Sequence, residues 1–268
     1  MYEMATQITN IRKEIIRLLN DNALSALFQP IVQLDGGNLF ACEALIRGPI
    51  NTNFHFPYRL FEAASQCGLL SQLEYASRHE SLKSFSNQNE SCLLFLNASP
   101  MSLNQGYAAS FRSDVLARYG LSANQIVIEI SEQYPMGDIH SLKNAIHFYR
   151  DQGFGIAIDD FGAGYSSFRL WEELRPDFVK IDRHFINNVD SNPVKKKILS
   201  SILWIAEEVG CKTIGEGVEN QAQLNTLVEL GVDFAQGFLL GRPQQKVTRP
   251  FMPITQKAQT FSEFLRCG

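Results

Sequence analysis

With 268 residues, 45% of them apolar, 19% charged and a net charge of −4, the chain is long enough for one sizeable core, and a single α/β barrel of about 250 residues fits it. The mild negative charge provides no broad basic field, which excludes general DNA binding and leaves a small anionic ligand dependent on local cations. Five scattered cysteines without a C-x-x-C pair, no signal peptide and no apolar run near the ~18 residues of a membrane span describe a cytoplasmic chain with reduced thiols, whose full-length parent could still carry a membrane anchor.

Taken in chain order, residues 1–22 form an amphipathic helix. Ile8, Ile11, Ile15, Ile16, Leu18 and Leu19 recur at helical spacing up to Asn20. This helix is either a signalling linker from an upstream sensor domain or a helix packed on a barrel floor. Residues 23–250 then alternate short apolar runs with longer helical patterns. The strand-like runs are Leu27–Val32, Leu39–Ile46, Leu93–Leu96, Ile126–Ile130, Gly155–Ile158, Phe178–Ile181, Thr213–Gly215 and Phe234–Gly237. Amphipathic helices separate most of them, including Leu60–Cys67, Tyr75–Phe85, Ile139–Gln152 and Val194–Val209. Gly153, Gly210 and Gly231 follow helices, where a left-handed cap favours glycine. Eight strands alternating with helices predict a (β/α)8, TIM-like barrel. The Asp35-Gly36-Gly37-Asn38 link between the first two strands is a hairpin signal, so the first strand is expected to be antiparallel. The tail, residues 251–268, has room for one helix.

Polar residues fall where the strands end. Glu43, Asn97, Glu129, Asp159, Asp160, Lys180, Glu216 and Gln236 all lie at or just beyond the end of a strand-like run, or within it. In a parallel barrel those ends converge on one face. A single acid after a strand is usually a helix cap or a solvated loop residue. Five carboxylates aimed into one bowl are different, because burying them together requires cations. Ligands that are all oxygen suit Mg²⁺ or Mn²⁺ rather than zinc. The adjacent Asp159 and Asp160 suit two ions bridged by one carboxylate. His55, His79, His140, His147 and His184 sit at no matching positions and read as ordinary surface or core residues.

At these residues the chain resembles the EAL-type cyclic di-GMP phosphodiesterase family, from about Leu27 to Pro243. The resemblance is carried by Phe28-Gln29-Pro30-Ile31-Val32, Glu43-Ala44-Leu45 with Arg47, Leu96-Asn97-Ala98-Ser99 and Glu129-Ile130-Ser131-Glu132. It continues through Asp159-Asp160-Phe161-Gly162-Ala163-Gly164, Val179-Lys180-Ile181-Asp182, Glu216-Gly217-Val218-Glu219 and Gln236-Gly237-Phe238. The chain departs from the family pattern at Gly48, where Trp is usual, and at Ala163, where Thr is common.

The resemblance implies a metal-dependent enzyme that opens cyclic di-GMP to linear pGpG. It implies Glu43, Asn97, Glu129 and Asp159 as ligands of one ion, and Asp159, Asp160 and Glu216 as ligands of a second. Lys180 would orient the attacking water, with Glu43, Asp160 and Glu216 sharing the catalytic work. Gln29, Leu45, Arg47, Gln236 and Pro243 would contact the dinucleotide. Glu132, Phe161, Gly162 and Gly164 would form a regulatory loop beside a homodimer contact. Ca²⁺ would inhibit, being larger and less polarising. The rival reading is a receptor that binds cyclic di-GMP and cuts it weakly. A barrel enzyme acting on another phosphate ester or a sugar is the second rival.

Overall fold

A computed structural model describes residues 2–104, 112–131, 138–164 and 167–249. Helix α1 (Tyr2–Asn20) precedes the hairpin of β1 (Ser25–Gln33) and β2 (Leu39–Arg47). Helices α2 (Pro57–Gln66) and α3 (Leu70–Ser86) lead to β3 (Leu93–Asn97). Short helices α4 (Pro100–Asn104) and α5 (Ser113–Ala117) precede β4 (Ile126–Ser131). The order then runs α6 (Ile139–Asp151), β5 (Gly155–Phe161), α7 (Ser167–Leu174), β6 (Phe178–Ile181), α8 (Arg183–Ile186) and α9 (Pro193–Val209). It ends with β7 (Lys212–Gly215), α10 (Gln221–Leu230) and β8 (Phe234–Ala235). The strands close into an eight-membered barrel in sequence order. β1 runs antiparallel to both β2 and β8, as the hairpin signal predicts, and the remaining neighbours are parallel.

Local chemistry explains where elements begin and end. Asn192 caps α9 by accepting from the amides of Val194 and Lys195, Pro193 supplies its first turn, and Gly210 closes it at φ 72°. The expected strand Phe234–Gly237 is shorter than its apolar pattern. β8 keeps only two residues, and at Gly237 the chain passes so close to the Val218 backbone that a Cβ would collide with it. Helix α1 packs along α2. Arg12 reaches the carbonyl of Cys67, and the Cys67 thiol donates to that of Ile8. Ile15 and Leu18 are its buried anchors. The tail 251–268 lies outside the described residues. No described helix is long and apolar enough to cross a membrane.

The apolar interior has two parts. One lies between the barrel and its helices. The other fills the barrel itself with Ile31, Ala41, Phe95, Val127, Ala157, Ile214 and Phe234, against which Phe40 and Phe178 pack. Phe40 stacks on Phe234 at 3.9 Å between centroids, and Phe178 meets Phe95 edge-on at 5.4 Å. This inner plug is the base on which the polar site rests.

Candidate active site

Side chains two residues apart on a strand share a face, one pleat repeat apart. Stepping two residues from each plug residue toward the mouth gives Glu43 from Ala41, Asn97 from Phe95, Glu129 from Val127 and Asp159 from Ala157. The same step gives Lys180 from Phe178, Glu216 from Ile214 and Gln236 from Phe234. On the antiparallel β1 it runs backwards, from Ile31 to Gln29. A ring of polar residues, one from each strand, therefore caps an apolar plug, and all eight positions are among the expected site residues.

Asp160 breaks the alternation and still joins the ring. The pairing of β5 with β6 shifts between Ile158 and Phe161, and Asp160 adopts a left-handed φ of 55°, a bulge that re-aims a side chain. Oxygens of Asp159, Asp160 and Glu216 thereby come within 4.8 Å of one another.

Lys180 sits at the centre of the ring, 1% exposed. Its Nζ lies 3.2 Å from Glu43, 2.8 Å from Glu129, 2.8 Å from Asp159 and 2.9 Å from Glu216. An ammonium has three N–H groups, so four carboxylates cannot all be served by it. Its hydrogen bonds go to Glu43 and Asp159, and Oε1 of Glu129, though close to Nζ, has no hydrogen-bond geometry. Burial pushes the Lys180 pKa down, but the surrounding carboxylates outweigh it and hold the group charged. The carboxyls feel the opposite pressure. Burial, reinforced by Glu43, raises Glu129 well above the ordinary value. Burial and neighbouring acids push Glu216 up to about 8, and burial and Asp159 push Asp160 up to about 6.

The ring is thus short of positive charge, and its donors are hard oxygens. That fits divalent cations of the Mg²⁺ or Mn²⁺ type. Such an ion needs the carboxylates ionised, so uptake releases protons. Mn²⁺ affinity is expected to rise from pH 6 to pH 8 as Asp160 and then Glu216 ionise. Calorimetry in buffers of different ionisation enthalpy checks this, and a pH-independent affinity would contradict it.

The other expected residues lie around the ring. The Asn97 amide donates to Glu43 at 3.0 Å and to Glu129 at 3.2 Å, and a half-turn of the amide presents its oxygen to the same place. Gln236 donates to Glu43 at 2.8 Å and to Gln29 at 3.3 Å, and Gln29 donates onward to the carbonyl of Gly241 at 3.1 Å. This amide chain fixes one face of Glu43. Pro243 is half-buried beside Gln244, which pairs with Phe28. Leu45 and Arg47 continue the Glu43 face of β2 and are half-buried. Burial lowers the Arg47 pKa, and Glu43 opposes that. Ser131, two residues beyond Glu129, donates to Asp160 at 3.3 Å. It belongs to the recognised motif but had no assigned role, and the two-residue step from Glu129 would have found it.

Gly48 has its own explanation. Its amide and carbonyl are tied to His55 at 3.2 and 3.0 Å, and a Cβ would collide with the Phe54 carbonyl. The loop from Pro49 to Phe56 has folded into the space a side chain would need. Gly48→Ala is expected to cost about 1–3 kcal/mol through overpacking, read by denaturant unfolding. An unchanged midpoint would show that the loop yields freely.

Of the expected loop residues, Phe161 ends β5 as a buried core residue, edge-on to Trp171 at 5.1 Å and to Phe168 at 5.2 Å. The loop proper starts at Gly162, with φ 96°, where a Cβ would strike the Phe185 ring; Gly164 follows it. Glu132 lies outside the described residues.

The EAL domain family model matches residues 12–243. Cyclic di-GMP phosphodiesterase RocR of Pseudomonas aeruginosa is 30% identical over 237 residues, covering 86% of this chain and 60% of that protein. The PaMucR phosphodiesterase, solved as a complex with c-di-GMP, superposes with a TM-score of 0.78 at 28% identity, covering 88% of this chain and 97% of that one. BlrP1 of Klebsiella pneumoniae, solved with manganese and cyclic di-GMP, gives 0.78 at 26% identity, covering 85% and 58%. The chain spans less than two thirds of the length of its curated relatives, 38% for the mycobacterial ones. A barrel whose first strand runs backwards, a polar ring with one residue from each strand and a family match over most of the sequence agree, and the chain belongs to the EAL domain family.

Proposed function

We propose that this domain is a divalent-metal-dependent phosphodiesterase that hydrolyses cyclic di-GMP to linear pGpG. The observation that carries the reading is the ring of five carboxylates around the single ammonium of Lys180. The names of RocR and of the PaMucR complex support the choice of substrate.

Glu43, Asn97, Glu129 and Asp159 would hold one ion, and Asp159, Asp160 and Glu216 a second. Bound Mg²⁺ or Mn²⁺ supplies Lewis-acid charge and a water acidic enough to attack near neutral pH. That Lys180 touches carboxylates of both proposed ligand groups supports a role in donating to the attacking oxygen and offsetting charge as phosphorus becomes five-coordinate. Arg47 offers a half-buried cation for phosphate, while Gln29, Leu45, Gln236 and Pro243 shape the wall for the dinucleotide. Phe168, exposed on α7 beside the loop after β5, favours a homodimer there. The helix α1 on the barrel's flank favours a link to an upstream sensor.

Incubation with cyclic di-GMP is expected to give pGpG with Mg²⁺ or Mn²⁺, none in excess chelator, and less when Ca²⁺ competes. A sizing column run on the same preparation is expected to show twice the chain mass. Cyclic di-GMP bound but uncut with Mn²⁺ would make the domain a receptor. Full turnover in chelator would overturn the metal reading.

A further inference from the structure

The buried face of α3 is not a plain apolar stripe. Leu73, Leu82 and Phe85 share it with Glu74, Ser77, Arg78 and Ser81. Glu74 is 5% exposed and Arg78 2%. They form an ion pair one helical turn apart, with 3.4 Å between Nη1 and Oε2. Burial lowers the Arg78 pKa, and the Glu74 carboxylate is the strongest influence against that. Such a pair is expensive to bury, and well-packed apolar side chains in its place are often neutral or stabilising. Core stability alone therefore does not account for it.

Arg78 has a second contact, on another helix. The same Nη1 donates to Oγ of Ser102 on α4, also at 3.4 Å. Ser102 passes the link on. Its Oγ donates to the Ser99 carbonyl at 3.0 Å, and its amide donates to that carbonyl and to Oγ of Ser99 at 3.0 and 3.2 Å. Ser99 stands two residues after Asn97, and between them the Ala98 amide donates to the Glu129 carbonyl at 2.9 Å. The turn from Asn97 into α4 is thus tied to β4 on one side and to Arg78 on the other. α4 has only five residues, too few to hold its place by helical hydrogen bonds alone. At the head of the turn, Asn97 donates to Glu43 and Glu129, the acids proposed to share an ion with it.

We propose that Arg78, set by Glu74, is a positioning residue for Asn97: through Ser102 and Ser99 it anchors, from the helix layer, the turn that aims Asn97 into the polar ring. A guanidinium suits this task, because its planar fork holds an acceptor on its own helix and one on a neighbour in a fixed relation. Ser102 can serve both ends of the link, since a hydroxyl accepts through its lone pairs while its one hydrogen is donated onward. Partners that orient a metal ligand from outside the ligand set are typically worth about ten- to a hundredfold in metal affinity. The anchor stands on these contacts alone. Its effect on metal binding rests on the phosphodiesterase reading.

The test compares the parent with two variants. Ser102→Ala removes the link, and the joint change Glu74→Leu with Arg78→Met replaces the ion pair by apolar side chains of similar size. Amide hydrogen exchange in the metal-free proteins reads the anchor. The Ala98 and Leu103 amides, bonded to Glu129 and Ser99, are expected to exchange at least about tenfold faster in both variants. The Ile128 and Ile158 amides of β4 and β5 are expected to exchange no faster, and the joint variant to unfold at or above the denaturant midpoint of the parent. Calorimetry with Mn²⁺ reads the consequence: affinity is expected to fall by about tenfold or more in both. In an Asn97→Ala background, Ser102→Ala is expected to cost no further affinity, because the ligand it positions is gone. Unchanged exchange at Ala98 and Leu103 would overturn the anchor. No loss of Mn²⁺ affinity, or a loss that adds in full to that of Asn97→Ala, would overturn its coupling to Asn97. If the joint variant does not fold, Ser102→Ala carries both readouts. A parent that takes up no Mn²⁺, with faster exchange in the variants, would count against the metal reading and leave the anchor standing.

Discussion

Lys180→Met is expected to lower kcat about a thousandfold while leaving KM within a few-fold. Nothing in the proposed chemistry asks Lys180 to grip the nucleotide. Its ammonium lies within 3.2 Å of four carboxylates, which sets it among the proposed ligands rather than on the wall of the bowl. Removing it also strips the ring of its one cation. Breaking a buried ionic cluster from one side costs about 3–5 kcal/mol, so the variant in chelator is expected to unfold earlier than the parent. Added Mn²⁺ should restore much of that loss, because an ion that binds only the folded state stabilises it by mass action. Activity should not return with it. A variant that keeps kcat and raises KM would make Lys180 a substrate clamp. One whose stability ignores Mn²⁺ would separate Lys180 from any metal site.

Much of this architecture was legible because a barrel repeats one rule around its axis. The eight expected strands all occur, and polar residues at their ends are two-residue steps from inward-facing apolar ones, as with Phe95 and Asn97 or Ile214 and Glu216. The backward first strand was legible from Asp35-Gly36-Gly37-Asn38, which bends only into a hairpin. What escaped the sequence depends on geometry between strands. Period-two alternation would turn Asp160 away from Asp159, and only a shifted register with a left-handed residue brings both inward. That Lys180 meets four acids at once depends on how the strands stagger, which no local pattern encodes. Gly48 read as the loss of a side chain, whereas the Phe54 backbone occupies the space.

Glu43→Gln is the substitution expected to move activity and stability in opposite directions. Glu43 accepts from Asn97 through one oxygen and from Gln236 and Lys180 through the other. A glutamine of the same shape keeps the packing, and a turned Asn97 amide can meet its new NH2 group. What disappears is one negative charge from a ring in which five acids surround one ammonium. Without metal those acids repel one another, which is why burial and neighbouring acids together raise Glu216 and Asp160. Relieving that repulsion is expected to leave the chelated protein as stable as the parent or more stable by about 1 kcal/mol, as when a functional site holds strain. Turnover is expected to fall by at least about a thousandfold, close to 4 kcal/mol of transition-state stabilisation, because a proposed ligand of the first ion is gone. Thermal unfolding in chelator and initial rates with saturating Mn²⁺ read the two effects separately. A variant that unfolds several degrees lower yet still cuts cyclic di-GMP would assign Glu43 to the scaffold and remove it from the metal site.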